Sequence, residues 1–122
     1  MVNDNERRIH DLKEKIKEFC DKRDWDQFHN AKELAIALSI EASELLEIFR
    51  WKTHEEVDEL FKDEKKKEDI EDELADILYF LVRIAQRYDL DLSEAFDRKL
   101  EKNDKKYPID KAKGSHKKYN EF

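Results

Sequence analysis

The chain has 122 residues, 47% of them charged and 39% hydrophobic, with one Gly, one Pro, one Cys and a formal net charge of -7. That length suits one domain with a modest core. A single glycine, Gly114, excludes glycine-rich phosphate loops and dinucleotide-binding fingerprints, and a single cysteine, Cys20, excludes an intramolecular disulfide or a four-thiolate zinc site. The negative balance disfavours nucleic acid as a partner, and no apolar run approaches the ~18 residues of a membrane span or forms a signal-peptide core. A soluble protein in a reducing, cytoplasmic setting is therefore expected.

Leu, Ile, Phe and Trp recur at helical spacing between the charges, so the chain reads as nearly all helix. A first helix is expected over residues 4 to 22, on the stripe Ile9, Leu12, Ile16 and Phe19. Residues 24 to 29 form a short connector. Asn30 and Glu33 have the spacing of an N-cap and its N3 partner and open a second helix that runs to about residue 50. Thr53 and Glu56 make a similar pair for a shorter third helix. The run DEKKKED, residues 63 to 69, has nothing apolar to bury and reads as a linker before a fourth helix over residues 68 to 88. Asp91 and Glu94 open a fifth helix, which Pro108 stops, and a lysine-rich tail follows. The expected fold is an all-α bundle of about four to five helices, with residues 1–110 as one domain and residues 111–122 as the tail.

The second and fourth helices carry apolar residues on almost every side, among them Ala35, Leu46 and Phe49 on one and Leu74, Leu78 and Ala85 on the other. A monomer of this size has too few helices to cover both, so the bundle is expected to be completed by homo-oligomerisation, with a dimer as the unit. Charge is unevenly placed as well. Residues 41 to 76 hold 15 acids and 6 bases, whereas residues 98 to 118 hold 9 bases and 3 acids. The first stretch suits cations and the second suits phosphates, unless both are simply solvated helix faces.

Two acidic pairs, Glu41-Ala-Ser-Glu44 and Glu73-Leu-Ala-Asp76, stand out by the direction they face. At ~100° per residue, Glu41 lies in the middle of an apolar stripe formed by Leu34, Ala37, Leu38, Leu45 and Ile48, with Glu44 at its edge. Glu73 is flanked in the same way by Ile70, Ile77, Phe80 and Ile84, and Asp76 sits at the margin beside Arg83 and Arg87. Four inward carboxylates would repel one another and lose hydration, at a cost of several kcal/mol per uncompensated ion. Either a cation compensates them or the nearby arginines do. An all-oxygen ligand set selects hard ions such as Mg2+ or Mn2+.

Glu41-x-x-Glu44, a spacer of 28 residues and Glu73-x-x-Asp76 resemble the signature of the MazG-like all-α NTP pyrophosphohydrolases. Further blocks are similar to the dCTP pyrophosphatase branch: RDWDQFHN (23–30), FRWK (49–52), ELADILYFLV (73–82), KLEKNDKKYP (99–108) and KGSHKKY (113–119). The resemblance implies hydrolysis of a nucleoside triphosphate, most naturally a deoxynucleotide, to monophosphate and pyrophosphate. It places metal ligands for Mg2+ on Glu41, Glu44, Glu73 and Asp76, and leaves the general base open between Glu41 and Glu44. It also implies substrate contacts from Lys99, Asn103 and Tyr107, with the lysine reaching phosphate oxygens, a base slot walled by Trp25 and Trp51 with His29 nearby, and a tetramer as the assembly. Ile16 and Phe80 depart from the histidine and tyrosine expected in animal members of that branch, which leaves the preferred base open. Two other readings compete: a non-catalytic helical interaction module, and a hydrolase of a phosphorylated metabolite other than a nucleotide. Retention of all four carboxylates opposes the first, and the two tryptophans oppose the second.

Overall fold

The computed structural model describes residues 1–122 and contains helices and turns without a strand. Its helices are α1 (Ile9–Asp21), α2 (Ala31–Phe49), α3 (His54–Leu60), α4 (Glu64–Arg87), α5 (Leu92–Lys106) and α6 (Ile109–Ala112), with a 3-10 turn at Tyr119–Glu121. They form two compact units, Met1–Leu90 and Asp91–Phe122. No helix is long and apolar enough to cross a membrane.

In the first unit α4 is the central helix, with α2 packed along it most extensively and α1 on another side. Both partners run antiparallel to it. The Ala31 N–H at the start of α2 donates to the Tyr88 hydroxyl just past the end of α4, at 2.7 Å. From the other flank, Cys20 Sγ lies 3.2 Å from the Tyr79 hydroxyl, and Lys13 Nζ donates to the Leu90 carbonyl. Because α1 ends at the level of Tyr79 and α2 begins at the level of Tyr88, residues 22–30 travel back along α4 between them. The core they enclose is small: Ile16, Cys20, Leu34, Ile70, Val82 and Ala85 are buried.

Capping explains most helix starts. Asn30 Oδ1 accepts from the Glu33 N–H at 2.9 Å, and Asp91 Oδ1 accepts from the Glu94 N–H at 2.9 Å. Thr53 and Glu56 form a reciprocal box, with Oγ1 accepting at 3.2 Å and Oε1 at 3.1 Å. Helix α3 buries no residue, so this cap and the stacking of Phe61 on Phe49, at 6.2 Å between centroids, are what hold it. Thr53→Ala is therefore expected to cost about 1 kcal/mol, read as a shift in the urea midpoint at unchanged slope.

Two expected boundaries are corrected. The first helix starts at Ile9, not near residue 4, because Asn3 and Asn5 form a local turn in which Asn3 Oδ1 accepts the Asn5 N–H at 3.0 Å. The run 63–69 is not a linker but the opening of α4. Asp63 caps it through the Lys65 and Lys66 N–H groups, and Lys65 bridges to Asp69 at 2.8 Å. Lysine and glutamate are good helix formers, so a segment with nothing to bury still extends a helix that is anchored further on. Of the apolar residues expected off the carboxylate stripe, Ala85 is buried and Phe49 stacks on Phe61, while Leu46, Leu74 and Leu78 are exposed.

In the second unit α5 ends before Pro108, which removes a helical donor, and the short α6 is followed by Lys113 and Gly114, whose φ of +76° suits a residue without a side chain. Tyr107 meets Tyr119 and Phe122 edge-on, at 6.3 and 6.0 Å, and Lys106 lies over the Tyr119 ring at 4.7 Å.

Candidate metal and nucleotide site

The antiparallel register of α2 and α4 brings Glu41 opposite Glu73 and Asp76. Each of the three offers a carboxylate oxygen within 4.8 Å of the others. Glu41 and Glu73 are half-buried, and one oxygen of each, Oε2, is buried with no hydrogen-bond partner. The neighbours of Glu41 on the wheel, Leu34, Ala37, Leu38, Leu45 and Ile48, are all buried or half-buried, as the apolar stripe requires. Two ionised carboxylates have no proton to share, so these oxygens call for a bound proton, a donor such as water, or a cation. Burial, followed by the adjoining carboxyls of Glu73 and Glu44, pushes the Glu41 carboxyl up to about 7. Glu44 is exposed one turn further along α2, outside the close set of three, and its negative charge contributes to that rise. Orphaned buried oxygens in an all-carboxylate set fit a hard divalent cation such as Mg2+ or Mn2+.

The arginines do not supply the compensating charge. Arg83 is completely buried, and its guanidinium donates to Asp26, to Gln86 Oε1 and to His29 Nδ1, the last at 3.0 Å. Arg87 approaches the same Asp26 carboxylate at 3.9 Å. Both cations thus serve the segment that crosses back over α4.

Trp25 and His29 lie in that segment, with ring centroids 5.8 Å apart. Trp25 also meets Phe19 edge-on at 5.7 Å, and Arg23 stacks on the Phe19 ring at 3.7 Å. Burial and the Arg83 charge hold the His29 imidazole below its ordinary value, so it is neutral at pH 7. Trp51 is placed differently. It is 87% exposed just past the end of α2, with a left-handed backbone (φ 67°) and the Arg50 guanidinium 4.7 Å from its ring. An apolar groove of about 390 Å³ between α1 and α4 is lined by Leu12, Ile16, Phe19, Leu78 and Tyr79, with Arg7 and Lys15 on its wall. Neither tryptophan lines it.

In the second unit, Lys99 is exposed and Asn103 half-buried on α5, and the Tyr107 N–H donates to the Asn103 carbonyl at 2.9 Å. Their i, i+4, i+8 spacing puts all three on one face.

The polar network around Arg83 was not foreseen. Its signal was a lone arginine inside the apolar run ILYFLVRIA, residues 77–85, but wheel geometry places Arg83 at the stripe's margin and suggests Asp76 as its partner. Two of its partners, Asp26 and His29, come from an irregular segment, whose path no periodicity describes.

The chain is similar to proteins of one family. A profile described as the MazG-like family matches residues 36–122. The chain is 36% identical over 114 residues to dCTP pyrophosphatase 1 of Bos taurus, covering 93% of this chain and 68% of the bovine protein. The human protein of the same name is also 36% identical over 114 residues, covering 93% of this chain and 67% of its own length. A crystal structure of a pyrophosphatase from Archaeoglobus fulgidus superposes with a TM-score of 0.77 at 37% identity, covering 88% of this chain and 99% of that one.

Proposed function

The chain belongs to the MazG-like family, and from that premise we propose that it hydrolyses nucleoside triphosphates to monophosphate and pyrophosphate. The observation that carries this reading is the set Glu41, Glu73 and Asp76, with two buried oxygens that nothing in the chain satisfies. These three residues, with Glu44 at the edge, would hold Mg2+ or Mn2+. When bound, such a cation neutralises charge that builds on the phosphate oxygens during attack. Glu44 is the carboxylate best suited to take a proton from the attacking water, because it is solvent-accessible beside the close set and free of the burial that Glu41 suffers. The common face of Lys99, Asn103 and Tyr107 supports their assignment to the substrate, with Lys99 reaching its phosphates. Trp25, His29 and Trp51 are assigned to the base.

Deoxynucleotides are the proposed substrates, in line with the name carried by the bovine and human relatives, and the proposed role is nucleotide-pool sanitation or balance. The single cysteine suits a cytoplasmic setting. Leu46 at 66% exposure and Leu74 at 49% support a homo-oligomer, with a dimer as the unit and a tetramer as the assembly.

The test is product analysis. Incubation with Mg2+ and a panel of standard and modified nucleoside triphosphates should yield pyrophosphate and monophosphate in equal amounts. Release of orthophosphate alone, or turnover that persists in excess chelator, would overturn the reading.

A further inference from the structure

The Arg83–His29 contact fixes more than the path of the chain. Guanidinium has donors only, so in the 3.0 Å contact between Arg83 Nε and His29 Nδ1 the histidine nitrogen is the acceptor and carries no proton. A neutral imidazole then bears its proton on Nε2. That nitrogen has no partner within the chain, and the buried polar atoms left unpaired are confined to Glu41 and Glu73, so the Nε2–H opens to solvent. Arg83 itself is fully buried and commits its other donors to Asp26 and Gln86, which leaves it nothing with which to touch a ligand.

The position of this donor is also informative. Arg83 follows Asp76 on α4 by seven residues, about 10 Å along the helix, a span comparable to the reach of a nucleoside away from phosphates held at the carboxylates. We propose that Arg83 is a positioning residue: it holds the His29 imidazole in the Nε2–H form, beside Trp25, as a hydrogen-bond donor to an acceptor atom on the base of the bound nucleotide. The assignment of the ligand rests on the nucleotide hydrolase reading above; the state of the imidazole does not.

Long-range 1H–15N correlation spectra of the metal-free protein read that state directly and need no variant. They should show His29 protonated on Nε2, with its signals moving when a non-hydrolysable nucleoside triphosphate and Mg2+ are added. Kinetics supply the second readout. His29→Phe should raise KM about fivefold to tenfold, the worth of one hydrogen bond, with kcat within about twofold. His29→Gln, which offers an N–H near the same place, should restore most of the loss. Arg83→Lys should raise KM similarly and add little when combined with His29→Phe. A proton on Nδ1 in the parent protein, an unchanged KM in His29→Phe, or additive effects in the double variant would each overturn the proposal. A protein that hydrolyses no nucleoside triphosphate sinks the functional reading and the donor role together, whereas the spectra still decide whether Arg83 sets the tautomer.

Discussion

Glu73→Gln should abolish hydrolysis while leaving the metal-free protein at least as stable as its parent. The two halves of this result have one cause. Glu73 contributes one of three carboxylates whose oxygens lie within 4.8 Å of one another, and its buried Oε2 has no donor. Replacing it with an amide removes one negative charge from the cluster and introduces an N–H2 that can donate to Glu41, so the metal-free protein sheds repulsion and gains a hydrogen bond. The same change removes one of the three proposed ligands. Groups that only support a ligand from behind typically cost about 10–100-fold in metal affinity or activity, and loss of a ligand costs at least as much. Two measurements check this. Turnover under saturating Mg2+ should fall by at least ~100-fold, and the rise in melting temperature that Mn2+ gives the parent should vanish in the variant. A variant that loses activity because it unfolds would point to a structural role for Glu73 instead.

Asp26→Asn should carry the largest stability loss of any single polar substitution in the chain, about 3 kcal/mol. Arg83 is completely buried, and Asp26 is the anion that faces it. Removing one partner of such a pair leaves an uncompensated charge in the interior, at a cost of about 3–5 kcal/mol. The low end applies because the Asp26 side chain is half exposed, so water screens part of the pair. The pH dependence follows from the same contact. The hydrogen bond from Arg83 holds the Asp26 carboxyl below its ordinary value of 3.8. A carboxyl with a depressed folded-state value stabilises the protein fully above its unfolded value, and that contribution is lost as pH falls through the folded one. Urea midpoints of parent and variant should therefore differ most above about pH 5 and converge below pH 4. A gap that is constant down to pH 3 would contradict this account.

Helix identity and the inward carboxylates were legible in the sequence because both depend on periodicity. Asn30, Thr53 and Asp91 announced their caps, and the wheel placed Glu41 and Glu73 on faces that are indeed the covered ones. Periodicity failed in two kinds of place. Where a segment has no apolar residue, as in residues 63–69, it is silent, and propensity plus the Asp63 cap decided for helix. Where the backbone is irregular, as in residues 22–30, it has no meaning, and the partner of Arg83 depended on a path set by the spacing between the end of α1 and the start of α2.

The antiparallel pairing of α2 with α4 has a mechanical consequence. At one end the two helices are tied, by the Tyr88 hydroxyl to Ala31 and by Arg83 to His29. Midway along both helices they push apart, through Glu41 and Glu73. A slip of one turn between them, about 5.4 Å, would carry Glu41 beyond reach of a cation shared with α4. Metal occupancy and helix alignment are thus two readings of one coordinate. A cation held there would add a second fastening, midway along a pair otherwise tied at one end.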